Sequence, residues 1–137
     1  MKATPRLPAG RYYIGDLCYT DLGNDETWNE VCRLHFSEAG KRNDLLTLKD
    51  GREFVMLSTA YGDGDYPMMN GGELVGHLPV DSGTIGITRV ENAFPDGVEN
   101  GGGIVMSFDE SFNVFDIDDG LLIFGRYAVF TDEVDDE

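Results

Sequence analysis

Eight residues of this sequence, Thr59 to Tyr66 (T-A-Y-G-D-G-D-Y), combine side chains and backbone suited to binding. Tyr61 and Tyr66 offer flat ring faces and hydroxyls, and Asp63 and Asp65 offer carboxylate acceptors. Gly62 and Gly64 let the backbone turn tightly or come close to a ligand. The stretch follows the apolar run Phe54–Leu57 and reads as a loop, the kind of segment that carries function on a rigid scaffold. An ordinary surface turn has the same composition, so the reading depends on whether other polar segments join it. Gly15-Asp16-Leu17-Cys18-Tyr19 and Asp81-Ser82-Gly83-Thr84 are the two candidates. Together, Asp16, Tyr19, Tyr61, Asp63, Asp65, Asp81 and Ser82 could ring a small polar ligand. The tyrosines would stack or hydrogen-bond, and the aspartates would accept from hydroxyls or amines. These segments contain no Arg or Lys, which weighs against a phosphate-heavy ligand unless Arg11 or Arg89 folds in.

Two hydrolytic chemistries compete with simple binding. A thiol hydrolase would use Cys18 with a base in hydrogen-bond reach, and His35 and His77 are the two histidines. His35 falls on an apolar helix face, however, and Cys18 reads better as a small buried hydrophobe. A metal-assisted hydrolase would gather Asp63, Asp65 and Asp81 around a hard cation. Asp116, Asp118 and Asp119 lack EF-hand spacing, since aligning Gly120 with the motif glycine puts Phe115 and Ile117 at ligand positions. Zinc lacks paired Cys or His ligands, and neither phosphate-loop glycine motif is present. No cofactor, resident metal or catalytic residue is therefore expected, and the chain reads as a binding protein rather than an enzyme.

Charge bounds the partners. The 137 residues carry a formal net charge of −16, unevenly placed. Residues 1–60 are near neutral, with eight Lys/Arg and nine Asp/Glu; residues 61–137 hold two Lys/Arg against seventeen Asp/Glu. Such a field repels nucleic acid and anionic membranes and attracts cations or basic protein surfaces. It also serves solubility. No apolar run approaches the roughly 18 residues of a membrane span. The start, M-K-A-T-P-R-L-P-A-G, has no apolar core of a signal peptide, and Cys18 and Cys32 imply no disulfide framework. A cytoplasmic protein of one domain is expected, its oligomeric state open.

The elements that must position these residues are mainly strands. Residues 1–10, with Pro5 and Pro8, read as an irregular lead-in. Arg11–Ile14 reads as a short strand. Trp28, Val31, Cys32 and His35 share one face of a helix over about residues 26–37, with Thr27 and Glu30 at capping-box spacing. Leu45–Leu48 and Arg52–Ser58 flank the hairpin signal Asp50-Gly51. Residues 67–73 read as irregular, Leu74–Val80 as a strand stopped by Pro79, and Thr84–Val90 as an alternating strand. Residues 91–103 read as a loop. A terminal meander of Ile104–Phe108, Phe112–Ile117 and Leu121–Phe130 follows, with a bulge at Gly125 and an acidic, frayed tail over 131–137. About seven strands predict an antiparallel sandwich or barrel with one capping α-helix.

The order of motifs Y-Y-I-G-D-L-C-Y, S-T-A-Y-G-D-G-D-Y, V-D-S-G-T-I-G-I and F-G-R-Y-A-V-F-T-D, with a Trp-containing helix after the first, resembles a family of small uncharacterised phage and bacterial proteins. The resemblance runs from about Arg11 to Asp132. It implies an intracellular, phage-type protein, and by association a counter-defence role. Three functions stand: a non-catalytic protein sequestering a nucleotide-derived signal, an acidic inhibitor occupying a basic surface of a partner, and a metal-assisted or thiol hydrolase.

Overall fold

Alternation along one strand sets the layering. In β2 (Gly10–Gly15), Tyr12 and Ile14 point into one apolar cluster and Tyr13 into another on the opposite side. The computed structural model describes residues 5–36, 45–60, 62–97, 102–117 and 120–131. Among these are eleven strands in two antiparallel sheets, more segments than the seven expected because several are only two to four residues long. One sheet has five strands: β3 (Leu46–Thr47), β4 (Glu53–Ser58), β7 (Thr84–Arg89), β2 and β8 (Ile104–Phe108), in that order. The other has six: β1 (Arg6–Leu7), β9 (Phe112–Ile117), β10 (Leu121–Phe124), β11 (Tyr127–Phe130), β5 (Gly64–Asn70) and β6 (Glu73–Val80). Among the described residues each sheet has two unpaired edge strands and is not closed, so the architecture is a sandwich and not a barrel.

The central strands of the five-stranded sheet, β4, β7 and β2, are buried on both faces. Val55 and Leu57 of β4 with Ile85 and Ile87 of β7 meet the six-stranded sheet, while Phe54 and Met56 face Leu22 and Val31 under the helix. That helix, α1 (Asp25–His35), buries the expected face, with Val31 and His35 fully covered. It starts at Asp25, so Thr27 lies inside its first turn and the expected capping box does not form. Glu30 instead accepts from the Lys49 backbone N–H at 2.8 Å, tying α1 to the β3–β4 turn. Asp25 and Glu26 sit in the first turn, where the helix dipole favours them. No helix among the described residues is long and apolar enough to cross a membrane.

Several expectations are corrected. The lead-in is not wholly irregular, because Arg6–Leu7 pairs with Asn113 and Phe112. Residues 64–70 form a full strand with Tyr66 and Met68 buried. Pro67 is tolerated there because the β11 ladder reaches only Met68, and Pro79 because β6 is an edge. Residues 90–93, expected as strand end and loop, make a one-turn helix, α2 (Val90–Ala93). Strands β8 and β9 are not a hairpin: the chain changes sheet at Asp109–Ser111, where the Phe108 and Phe112 rings stack at 3.7 Å. Gly125 makes no bulge; at φ +64° it opens the two-residue turn between Phe124 and Tyr127, which needs a left-handed residue. Residues 132–137 and Asp118-Asp119 lie outside the described residues. Thr131, expected to fray, is buried; it donates to the Gly120 carbonyl at 2.7 Å and accepts from Ala60 N–H at 3.0 Å.

Candidate functional site

Strand β2 ends by delivering Asp16 into the interior, where its carboxylate is completely buried. Oδ2 accepts the backbone N–H groups of Asp81 and Ser82, both at 2.7 Å. Oδ1 accepts from the Ser82 hydroxyl at 2.8 Å and the Cys18 N–H at 3.0 Å. A carboxylate has about four acceptor positions, so these four donors use its capacity. Asp16 is therefore a clamp that fastens the β6–β7 turn to the end of β2 and is not left to accept from a ligand. Ser82 is engaged in the same way, its hydroxyl also lying 2.6 Å from that of Thr84.

A second set of bonds brings in the 59–65 segment. The Thr59 N–H donates to the Gly83 carbonyl at 3.0 Å. The Thr59 hydroxyl donates to the Gly62 carbonyl at 2.6 Å and accepts its N–H at 2.8 Å. Tyr66, whose ring and hydroxyl the loop reading counted as available, is buried and donates to the Gly62 carbonyl at 2.8 Å. The three polar segments of the sequence thus converge in space. Sequence reasoning missed Thr59, Thr84 and the buried role of Tyr66. A Thr directly after a strand and a Tyr two residues after a glycine carried the signal, but neither says which carbonyl it will meet.

What remains outside this buried frame is acidic. Asp63, Asp65 and Asp81 are exposed. Asp65 faces His77 across β5 and β6, Oδ2 to Nδ1 at 3.9 Å. Tyr19 is half-buried and donates its hydroxyl to Asp81 at 2.6 Å; that bond, more than burial, raises its pKa. Tyr61 lies outside the described residues. Tyr19 also lines a cavity of about 220 Å³ with Thr20, Asp21, Phe94 and Asp96. Two further cavities, of about 480 and 240 Å³, lie away from the converged segments.

The same geometry bears on hydrolysis. Burial first, then the bond and charge of Asp16 and the charges of Asp81 and Asp63, push the Cys18 thiol up to about 12. At neutral pH very little of it is thiolate, the reactive form. His35 contacts Ser58 on the helix side and His77 faces Asp65. Alkylation of Cys18 by iodoacetamide at pH 7.5 is expected to be slower than that of a free thiol by on the order of 50-fold, the lost thiolate fraction being partly offset by its higher nucleophilicity. Peptide mapping by mass spectrometry checks this; labelling at the free-thiol rate would contradict it. Among the described residues, no three His, Cys, Asp or Glu side chains converge as a metal site.

Compared with protein-family models, with curated proteins and with solved structures, the chain matches none.

Proposed function

We propose that this chain is a non-catalytic binding protein whose acidic rim engages a positively charged surface of a partner protein. One observation carries the reading: Asp63, Asp65 and Asp81 are exposed on segments fastened together, the β6–β7 turn by Asp16 and the 59–65 segment by Thr59, and these segments contain no Lys or Arg. Carboxylates held on a pinned frame offer charge without the cost of ordering loops on association. Their field steers a basic partner toward them. The resemblance to small phage and bacterial proteins suggests a host defence protein, met in the host cytoplasm, as that partner.

The test uses an octalysine peptide as a basic probe. Binding is expected to weaken at least tenfold between 50 and 300 mM salt, as charges separated by more than a Debye length are screened. It should weaken about tenfold again in the Asp63→Asn, Asp65→Asn, Asp81→Asn triple variant with an unchanged circular dichroism spectrum. Salt-independent binding indifferent to the three substitutions would overturn the reading.

A second reading, sequestration of a small nucleotide-derived ligand, is favoured by the Tyr19 cavity. Its Asp21 and Asp96 would accept from a base or sugar rather than hold a phosphate. It expects a small molecule to be retained through purification and lost in Tyr19→Ala. A folded protein retaining nothing from a nucleotide panel would remove it.

A further inference from the structure

Among the described residues, the second face of the six-stranded sheet is apolar along two rows, three of whose residues are exposed and five half-buried. Along its strands, Val114, Leu122, Phe124, Val129 and Met68 point into the core, so their sequence neighbours point the other way. The pairing register aligns those neighbours. Phe115 opposes Ile123, Ile123 opposes Ala128, Ala128 opposes Met69, and Met69 opposes Leu74. A second row sets Ile117 beside Leu121 and Leu121 beside Phe130. Leu74 is 56% exposed, Phe130 43% and Ile117 39%. Neither row contains a charged residue. The solvated face of an antiparallel sheet is ordinarily polar, so two uncharged apolar rows on such a face are a departure that asks for a cause.

Size and charge select the occupant. The longer row crosses four inter-strand steps of about 4.8 Å, roughly 19 Å in all, the length of a helix of about 12 residues. Two rows make a strip about 20 Å by 10 Å, well short of the roughly 800 Å² per partner typical of a stable protein pair. A single helix laid across the sheet fits that strip better than a second sheet. At the β9 end, Phe115 and Ile123 also line the cavity of about 480 Å³ beside the Gly125-Arg126 turn, room for an anchoring side chain. Strands β5, β6, β9, β10 and β11 all come from residues 61–137, the part with seventeen acidic and two basic side chains. A second copy would bring the same sign of charge, and a basic partner the opposite one. Asp65 and Met69 alternate onto the same face of β5, so the apolar rows run into the acidic rim.

We infer that the outer face of the six-stranded sheet docks a positively charged amphipathic helix of the partner protein, its apolar side laid across the row from Phe115 to Leu74. This rests on the reading that the partner is basic, and adds where and in what form it binds.

The test compares two fluorescent peptides of the same Leu and Lys composition. In one the leucines fall at i, i+3, i+4 and i+7; in the other they are scrambled off any helical face. Anisotropy titrations of the full chain at 150 mM salt are expected to show at least tenfold tighter binding of the amphipathic peptide. The Ile117→Ser, Leu74→Ser, Phe130→Ser triple variant should lose that preference yet bind the scrambled peptide as the wild type does. Leu74→Ser alone, at the most exposed of the three positions, should lose at least threefold and covers the case of a triple variant that does not fold. Equal binding of both peptides by the wild type, or a preference surviving the substitutions, would overturn the docking site and leave the basic-partner reading standing. Binding of neither peptide, even at 50 mM salt, would overturn both. A wild-type dimer in sedimentation that the triple variant dissolves would overturn the helix in favour of a second copy.

Discussion

Asp16→Ala is expected to lower the unfolding free energy by about 3–5 kcal/mol, among the largest effects of any single substitution in this chain. The carboxylate is completely buried and is the shared acceptor for the N–H groups of Cys18, Asp81 and Ser82 and for the Ser82 hydroxyl. Hydrogen bonds to a charged acceptor are the stronger kind, and each donor left unpaired in the interior costs about 1–3 kcal/mol. Asn is no remedy, because its amide nitrogen would face N–H groups that also need an acceptor. A urea unfolding midpoint lower by on the order of 2 M, with unchanged slope, is the expected reading. A ligand-contacting Asp16 would behave in the opposite way, losing binding and keeping the midpoint. An unchanged midpoint in Asp16→Ala would show that the clamp is not what holds the β6–β7 turn.

Gly23→Ala is expected to cost about 3 kcal/mol by a different route, steric rather than electrostatic. Gly23 closes the second of two successive 3-10 turns, Leu17–Tyr19 and Asp21–Gly23. A methyl group there would stand 2.1 Å from the Cys18 carbonyl oxygen, 2.7 Å from its carbon and 2.9 Å from its Cα. All three are backbone atoms, so no side chain can swing aside, and relief must come from displacing the 16–19 segment itself. That segment holds Asp16, which couples the two substitutions. The double variant should therefore lose less than the sum of the singles, by at least about 1 kcal/mol, whereas independent sites add. Strict additivity would separate the two turns from the clamp.

Both predictions concern residues whose importance shows only in three dimensions. Asp16 and Ser82 were legible as polar members of a convergent set, and the convergence is real. Their burial was not legible, because backbone groups 65 and 66 residues away in sequence decide whether the Asp16 carboxylate meets water or a row of N–H groups. Tyr66 read as a ring available at a loop for the same reason, and it fills the core instead. Asp63, Asp65 and Asp81 stayed at the surface and Tyr19 half at it, so these are the members of the expected set left open to solvent.

Local chemistry determined much of the rest. The spacing of Trp28, Val31, Cys32 and His35 marked the helix and its buried face, since a 3.6-residue period leaves no other way to bury them together. Lys49-Asp50-Gly51 marked a turn that the structure contains, closed by the Gly51 N–H on the Leu48 carbonyl. Alternation in Thr84–Arg89 placed Ile85 and Ile87 on one face. A mainly antiparallel β fold followed from such short-range patterns, each settled within one turn or strand.

Which strand joins which sheet, and which sheet face is covered, belong to the tertiary structure alone. The short connection Asp109-Glu110-Ser111 suggested a hairpin between Ile104–Phe108 and Phe112–Ile117, yet β8 pairs with β2 and β9 with β10. Three linking residues permit either course, and packing of Phe108 and Phe112 against Tyr12 selects the change of sheet. Likewise, apolar residues on both sides of a strand are the same pattern in β4 and in β10. In β4 helix α1 and the six-stranded sheet cover both sides; in β10 the described residues cover only the inner side. A sequence records which side chains shun water, but cover for them comes from segments distant in the chain, and only the folded arrangement shows where that cover is missing.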